Sequence, residues 1–320
     1  MKVRQTKPKP IIVEEITNPL PVLKDDSKNI IIVSETEAKR VAESVGLPAG
    51  PLSFTQLSTF LLCPRSYQFK YVQKVPRTGW SDNLIMGGAL HVAFEVLGKA
   101  KLNGAELNKS LLEQARNALA FTITKNIAST PELRPEDKTL LEAEGKLANK
   151  IVEAHFDVIL PKLKPQAVEE KLYVLVNGIP LVVIIDLVDD GIIKDYKVTR
   201  KTKSQKDAED SLQLTLYAAV KGATKAGFIS CPFPDVTKKK FDPTPTEVVV
   251  EKNPGDKQWV LEVLGSIFEN IVIGTEKQAF NLCDPSGWKC SEKFCDWWPI
   301  CRGRYAGNKP ITPDWLKAKK

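Results

Sequence analysis

Several features are missing from this sequence, and each absence excludes a class of protein. No stretch approaches the run of about eighteen apolar residues that a membrane-spanning helix needs. The N-terminus, MKVRQTKPKPIIVEE, has no apolar core of the kind found in secretory signals. The phosphate-binding pattern G-x4-GK-[ST] and internal repeats are also missing. We therefore expect a cytoplasmic protein with no membrane partner and no helicase motor of its own.

The composition is that of a globular protein with a modest positive bias. The length of 320 residues fits one large domain or two small ones, and the hydrophobic content of 42% supports a buried core. The net charge is +7 with a pI near 8.9. This excess of basic residues is compatible with nucleic-acid binding without proving it. Six cysteines in a chain without a signal indicate a reducing compartment, and metal or redox use rather than disulfides.

Two turn signals organise the stretch between residues 169 and 199. Asn177-Gly178 and Asp190-Gly191 are preferred two-residue hairpin turns, and they separate three apolar runs. They predict a three-stranded antiparallel meander whose register is fixed by the turns.

Counting outward from these turns brings carboxylates together on one face of the meander. Asp186 is predicted to lie opposite Asp195, and Glu169 across from Asp186 on the other side. Lys197 shares the face because it lies two residues past Asp195. Carboxylates this close raise each other's pKa unless a cation compensates them, and their oxygens suit Mg²⁺ or Mn²⁺. The apolar residues around Asp186 favour a metal site over a solvated strand face, provided that the register does not slip by one residue.

Residues 86–97 predict a helix close to the meander. Gly87 and Gly88 are expected to let backbones approach closely. His91 and Glu95 lie four residues apart and therefore on one helix face. A lone histidine is more often a packed core or surface residue, but the downstream carboxylates favour a ligand role for His91. Glu95 fits a site residue and an exposed helix carboxylate equally well.

Other helices are predicted on both sides of this one. A helix capped by Ser53 should end at Cys63-Pro64, and the aromatic residues after it are expected mainly in the core rather than on a nucleic-acid stacking surface. Residues 99–163 are helix-rich and are expected to form an insert over the site. A further helix is predicted over residues 206–226.

A basic loop follows the meander. Arg200, Lys201 and Lys203 are candidates for phosphate contacts beside the proposed site. The alternative is a run of solvated charges.

The cysteines fall into two groups, and five of the six lie in only two short segments. Cys63 precedes Pro64, whereas Cys290, Cys295 and Cys301 follow a C-x4-C-x5-C spacing near the C-terminus, with Cys283 close by. Thiolates suit an iron–sulfur cluster or zinc, although zinc sites usually use a shorter C-x2–4-C spacing.

Together these residues resemble the PD-(D/E)XK nuclease superfamily, specifically its RecB-like branch. The resemblance rests on Asp186, on Asp195-Tyr196-Lys197, and on Gln213 and Tyr217 in a Gln-x3-Tyr spacing. Gly88, Leu90 and His91 resemble the G-x2-LH motif of that branch. One departure is Ile185, where a glycine often precedes the first aspartate.

The resemblance implies a restriction-endonuclease-like α/β fold, a central mixed sheet flanked by helices, with a helical insert and a cysteine metal staple. It implies metal-dependent hydrolysis of phosphodiester bonds, with Mg²⁺ or Mn²⁺ held by His91, Asp186, Asp195 and the Tyr196 carbonyl. Glu169 and Glu95 are candidates for an additional acid. Lys197 would orient the attacking water, and Gln213 and Tyr217 would position the strand.

The same resemblance implies a [4Fe–4S] cluster held by four cysteines, with zinc as the rival metal. The ligands would be Cys63, Cys290, Cys295 and Cys301, Cys283 being a substitute, whereas Cys231 is spare. The expected boundaries are a flexible leader over 1–50 that contains a short helix near residues 34–45, a nuclease domain over 51–305 with its insert at 99–163 and cluster segment at 280–304, and a basic tail over 306–320.

The expected function is therefore a DNA exonuclease in recombination, repair or replication, acting on DNA with a free end or a single-stranded region. Related nucleases work with helicases, with recombinases or in CRISPR adaptation, or stand alone in phages, in which case the host cytoplasm would be the location. Two alternatives remain: a non-catalytic DNA-binding or adaptor subunit that keeps the fold, and a metal-stapled structural protein. The intact Asp-Asp-Lys set argues against the first, and the basic loop together with the carboxylate face argues against the second.

Overall fold

A computed structural model describes residues 30–77, 81–130 and 133–302 of the chain. Its centre is one mixed sheet with the strand order β1-β3-β4-β5-β6-β7, and a short β2 pairs with β4. The β3–β4–β5 meander is antiparallel, β5 and β6 are parallel, and β7 lies at one edge. The strands are β1 Ile30–Val33, β2 Leu52–Ser53, β3 Pro165–Val176, β4 Ile179–Asp189, β5 Ile192–Thr199, β6 Lys225–Pro232 and β7 Thr246–Glu251.

Helices cover both faces of this sheet. One core packs α1, α2, α8 and α9 against it, and the other core packs α4, α5 and α6 against it. The helices are α1 Glu35–Ser44, α2 Phe54–Leu62, α3 Pro64–Tyr67, α4 Asp82–Leu102, α5 Lys109–Ala128, α6 Pro135–Val158, α7 Gln205–Glu209, α8 Leu212–Lys221, α9 Pro254–Glu276 and α10 Trp298–Cys301, with a π-helical turn at Gln68–Val72 and a 3-10 turn at Leu160–Lys162. This arrangement confirms the predicted α/β class with a central mixed sheet flanked by helices.

The two hairpin turns form where the sequence places them. Asn177 and Gly178 both have positive φ, at 50° and 81°, and Asp190 and Gly191 have 49° and 78°. Positive φ at both central residues is typical of the turns that match the twist of paired strands. The turns fix the register of β3, β4 and β5 and so decide which side chains meet.

The flexible leader predicted over residues 1–50 is wrong at Ile30–Val33, which form a strand, whereas the short helix predicted near residues 34–45 is confirmed as α1. Ile30–Val33 pairs with β3 as a strand, and α1 buries Ala38 and Ala42 against the core. Ser34 caps α1 by accepting a hydrogen bond from the Glu37 amide at 3.1 Å. Residues 1–29 of the predicted leader and the basic tail over 306–320 lie outside the described residues.

The single helix predicted over residues 206–226 is also wrong, because the chain breaks it twice. The carboxylate of Asp207 and the hydroxyl of Ser204 form a capping box that starts α7. Ser211 caps the separate helix α8, and Gly222 ends it with a left-handed φ of 66°. The strand β6 follows at Lys225 and is buried along most of its length.

Gly87 and Gly88 do not bring two backbones together, contrary to the sequence-based expectation. A Cβ atom built at either position would meet nothing within 4 Å among the described residues. By contrast, a Cβ atom at Gly98 in the same helix would come within 3.1 Å of Val168, so Gly98 is the glycine of α4 that allows close packing.

None of the helices in the described ranges is long and apolar enough to cross a membrane.

Candidate active site

Asp186 and Asp195 lie opposite each other where β4 and β5 separate. The ladder pairs Asp189 with Ile192 and ends at Leu187 and Lys194, one position before the two aspartates. The Asp186 carboxylate accepts a hydrogen bond from the Tyr196 backbone N–H at 2.8 Å. This side-chain bond satisfies an amide that the ladder no longer reaches. The register predicted from the turns is confirmed here.

Glu169 approaches Asp186 from the neighbouring strand. It lies between the pairs Val168 with Leu187 and Glu170 with Ile185, which places it opposite Asp186, as predicted. Its φ of 51° is in the left-handed region, which is uncommon for a residue other than glycine. Such conformations cost about 1–3 kcal/mol and often occur at functional sites.

The helix α4 places His91 over these two carboxylates. The His91 Nδ1 atom lies 3.5 Å from an Asp186 carboxylate oxygen and 4.0 Å from a Glu169 oxygen. One ligand atom from each of the three residues lies within 4.8 Å of the other two, an arrangement that can hold a metal ion. Helix packing thus adds a nitrogen donor to the two oxygens that the meander supplies.

Burial and mutual repulsion shift the pKa values of these groups. Burial raises the pKa of Asp186 well above its usual range, and the neighbouring charge of Asp195 raises it further. Burial, with help from Glu95, raises the pKa of Glu169 to about 7. Burial lowers the pKa of His91 and so favours the neutral imidazole that can bind a metal. A bound divalent cation would relieve the repulsion between the carboxylates, so the donor set fits Mg²⁺ or Mn²⁺.

Asp195 is held by two partners rather than by the His91 cluster. The Lys197 ammonium lies 2.7 Å from one Asp195 oxygen, and the Gln213 amide nitrogen donates to the other at 2.7 Å. Asp195 is almost completely buried, at 2% exposure, beside the three clustered residues. Its charge acts on the pKa of both Asp186 and His91, which places it at the edge of the same site.

Helix α8 lies beside β5, and its side chains contact the site residues of that strand. The Gln213 amide nitrogen also donates to the Tyr217 hydroxyl at 3.4 Å, as expected for residues four apart on one helix face. Tyr217 is buried and packs edge-to-face against Phe54, with ring centroids 6.4 Å apart. The structure therefore brings Gln213 into contact with both Asp195 and Lys197, while the buried Tyr217 hydroxyl accepts a further hydrogen bond from the Gln213 amide.

His155, to which the sequence gives no role, lies behind Tyr196. Its Nε2 atom is 3.0 Å from the Tyr196 hydroxyl, and its ring stacks on Phe94 at 4.5 Å. His155 is fully buried, and burial lowers its pKa to about 3, so it is neutral. No local sequence signal separates this histidine from any other residue of an amphipathic helix.

Glu95 lies one helical turn beyond His91 and pairs with Lys99, outside the group formed by the other three residues. Its charge nevertheless helps to raise the pKa of Glu169.

Of the basic loop residues, Arg200 is already engaged. Its guanidinium lies 2.8 Å from Asp82 and 3.1 Å from Asp235, and it stacks on the Phe233 ring at 3.9 Å. Arg200 thus ties the start of α4 to the loop after β6, a structural role that competes with phosphate binding. Lys201 is exposed and Lys203 is half-buried.

Five cysteines, one at the end of α2 and four near the C-terminus, line a single cavity of about 160 Å³. Burial works to raise the pKa of Cys63, but hydrogen bonds from Cys283 and Ser66 outweigh it and lower that pKa. Burial and the neighbouring Cys63 and Cys290 raise the pKa of Cys283 to about 12. The cavity cysteines are Cys63, Cys283, Cys290, Cys295 and Cys301.

Cys231 is buried in the core that α4, α5 and α6 form with the sheet, and it does not line the cysteine cavity.

A mixed sheet that presents paired carboxylates and a lysine on neighbouring central strands defines the class of restriction-endonuclease-like folds. The family model of the PD-(D/E)XK nuclease superfamily matches residues 51–302. Because this match covers most of the sequence, the chain belongs to that superfamily.

No curated protein matches the sequence. A crystal structure of a "putative exonuclease" from Eubacterium rectale is similar over 91% of this chain and 100% of that chain, with 11% identity and a TM-score of 0.46. So weak a likeness adds nothing to the assignment.

Proposed function

We propose that this protein is a Mg²⁺- or Mn²⁺-dependent deoxyribonuclease, and that it works as an exonuclease on DNA that has a free end or a single-stranded region. The observation that carries the proposal is the convergence of His91, Glu169 and Asp186 within 4.8 Å of one another, beside the Asp195–Lys197 pair. Membership of the superfamily supports hydrolysis of a nucleic acid.

The residues of the site divide into metal ligands and groups that act on the substrate. His91, Glu169 and Asp186 would hold the cation, and Asp195 and the main-chain carbonyl of Tyr196 would complete the set. The bound cation would polarise the phosphate and lower the pKa of an attacking water.

Lys197 has the chemistry to act on that water. Its ammonium would orient the water and offset the negative charge that develops on the phosphate in the transition state. Gln213 holds this ammonium by accepting its hydrogen bond at 2.9 Å, and Asp195 faces it from β5. Lys197 therefore needs little reorganisation when the substrate binds.

We also propose that the cysteine cavity holds a [4Fe–4S] cluster. Its donor set contains five thiols, of which Cys63, Cys290, Cys295 and Cys301 are the proposed ligands. Tetrahedral zinc with Zn–S bonds of about 2.3 Å would need sulfur atoms about 3.8 Å apart. Among the described residues, no three cysteine sulfurs lie within 4.8 Å of one another. This wider spacing favours a cluster over a single zinc ion.

The cleavage assay for this function uses end-labelled linear single-stranded DNA, the same strand as a closed circle, linear duplex DNA and RNA of equal length. The full-length protein, purified without oxygen, is given Mg²⁺, Mn²⁺ or a chelator. We expect cleavage of linear single-stranded DNA with either metal, none with the chelator, and an intact circle. Cleavage of the circle would make the enzyme an endonuclease. Tight binding to DNA without cleavage under every condition would replace the proposal with the adaptor function.

A further inference from the structure

Two aromatic side chains of the segment that carries four of the cavity cysteines face solvent. Trp288 is 62% exposed and Phe294 is 51% exposed, and their rings meet edge-to-face with centroids 5.1 Å apart. Trp297, in contrast, is buried, and its indole N–H donates to the Val75 carbonyl at 3.3 Å. Burial and this hydrogen bond account for Trp297. Phe294 lines the cavity and Trp288 does not, yet both leave more than half of their surface exposed, which packing does not explain.

Each of these two rings carries a lysine over its face. The Lys289 ammonium lies 4.2 Å from the centre of the Trp288 ring, and the Lys293 ammonium lies 5.2 Å from the centre of the Phe294 ring. A cation beside an exposed aromatic ring is the pairing that single-stranded nucleic acids use, because bases stack on the ring while phosphates meet the cation.

The surrounding surface has the charge that such a ligand needs. The segment over 63–77, which forms one wall of the cavity, contains four basic residues and no acidic residue. The segment over 281–302 contains three basic and three acidic residues, so the two walls together carry a net positive charge. Core positions of protein–protein interfaces are instead depleted in charged residues, lysine included. The charge pattern therefore favours a polyanion over a protein partner.

Helix α2 connects the cysteine cavity with the candidate active site. Helix α2 begins at Phe54, which packs against Tyr217 of the site, and ends at Leu62, next to Cys63 of the cavity. A helix of nine residues is about 13 Å long. The cavity wall at Cys63 is therefore about one length of α2 away from the contact between Phe54 and Tyr217.

We infer that the exposed surface formed by Trp288, Lys289, Lys293 and Phe294 binds single-stranded nucleic acid by base stacking. The inference rests on the proposed nuclease function, since it gives the strand that enters the active site a second point of attachment. Binding at this surface would make DNA with a single-stranded tail the preferred substrate.

Binding and cleavage are tested separately so that the two proposals fail in different ways. Binding is measured by fluorescence anisotropy with the full-length protein in chelator, using a labelled oligothymidylate of about 16 nucleotides and a duplex of equal length. The variants are Trp288→Ala and Phe294→Ala. Their matched controls are Trp259→Ala and Phe121→Ala, because Trp259 on α9 and Phe121 on α5 are 56% and 70% exposed.

We expect Trp288→Ala and Phe294→Ala each to weaken oligothymidylate binding about tenfold, and Trp288→Phe to retain most of it. The two controls and duplex binding should change much less. In the cleavage assay, KM for single-stranded DNA should rise while kcat stays nearly constant.

Equal binding by Trp288→Ala and wild type, or an equal loss in Trp259→Ala, would overturn the inference. If Trp288→Ala loses binding but the wild type cleaves nothing, the surface stands and the nuclease proposal falls. If the wild type cleaves and Trp288→Ala binds and cleaves normally, the nuclease proposal stands and the surface falls. Iron content and thermal unfolding of each variant show whether the cysteine segment is intact.

Discussion

The side-chain oxygen of Gln213 accepts a hydrogen bond from the Lys197 ammonium at 2.9 Å. The amide nitrogen of the same Gln213 donates to Asp195 at 2.7 Å. One carboxamide on α8 thus fixes two neighbouring side chains of β5. It can do so because an amide offers a donor and an acceptor at once, whereas a carboxylate offers only acceptors.

Gln213→Leu should therefore lower activity without removing a metal ligand. We expect kcat to fall about 10- to 100-fold, because the Lys197 ammonium loses the acceptor that orients it. The affinity for Mn²⁺, measured by calorimetry, should change less than threefold, which is less than about 0.7 kcal/mol of binding free energy. Gln205→Leu, at an exposed position of α7, is the matched control. An unchanged kcat in Gln213→Leu would remove Gln213 from the catalytic machinery.

His91→Ala should weaken metal binding in a metal-dependent way. Because an imidazole nitrogen suits Mn²⁺ better than Mg²⁺, the affinity for Mn²⁺ should fall about tenfold or more and the affinity for Mg²⁺ less. Asn83→Ala is the control, since Asn83 is exposed on the same helix α4. Equal Mn²⁺ titrations for His91→Ala and wild type would place His91 outside the site.

Removing a cluster ligand should affect folding more than chemistry. A bound cluster would join Cys63, at the end of α2, to the C-terminal segment, and a cross-link between distant parts of a chain restricts the unfolded state. Protein purified without oxygen should be brown, and alanine at position 63, 290, 295 or 301 should give colourless, less soluble protein.

Cys231→Ala is the control for this series and should stay brown, because Cys231 lies in the core of α4, α5 and α6 and does not line the cavity. Elemental analysis with stoichiometric zinc and no iron would replace the cluster with a zinc staple. A brown Cys63→Ala protein would point to Cys283, which interacts with both Cys63 and Cys290, as the fourth ligand.

The buried carboxyl of Glu144 should make stability depend on pH. Burial raises its pKa to about 7, and among the described residues one of its oxygens has no hydrogen-bond partner. As pH rises from about 4.5 to 7, the unfolded chain loses this proton while the folded protein keeps it, so the free energy of unfolding falls.

Glu144→Gln has no carboxyl group to ionise at this position, so this decrease in the free energy of unfolding disappears. The variant should be more stable than wild type by about 1–2 kcal/mol at pH 7, with a smaller difference at pH 4.5. Urea unfolding at the two pH values measures this, with Glu142→Gln, an exposed neighbour, as the control. A stability difference that does not change with pH would show that Glu144 is not responsible.

The meander and its register could be predicted because local chemistry determines both. Asn-Gly and Asp-Gly adopt the positive φ values that two-residue hairpins require, and the strand period then places Glu169, Asp186 and Asp195 on neighbouring strands. The pairing of Gln213 with Tyr217 follows in the same way from the helical period.

Other features depend on contacts between distant parts of the chain, and the sequence alone does not reveal them. The strand β1 forms only because β3 offers it an edge, and nothing local distinguishes Arg200 in its ion pairs from a solvated lysine nearby. The two glycines before His91 resemble a packing motif, yet only the fold shows that open space lies above them. Likewise, the contact of His155 with Tyr196 joins α6 to β5 across the core.

The most direct test of the central claim is the cleavage of end-labelled single-stranded DNA by Asp195→Asn, with Asp190→Asn as the control. Both changes remove one carboxylate charge from the β4–β5 hairpin, but Asp195 lies in the site and Asp190 in the exposed turn. We predict that Asp195→Asn folds and binds DNA yet loses at least about a thousandfold in kcat in Mg²⁺ and in Mn²⁺, as expected when several kcal/mol of transition-state stabilisation are removed. Asp190→Asn should cleave like wild type. Cleavage by Asp195→Asn at the wild-type rate would contradict the account.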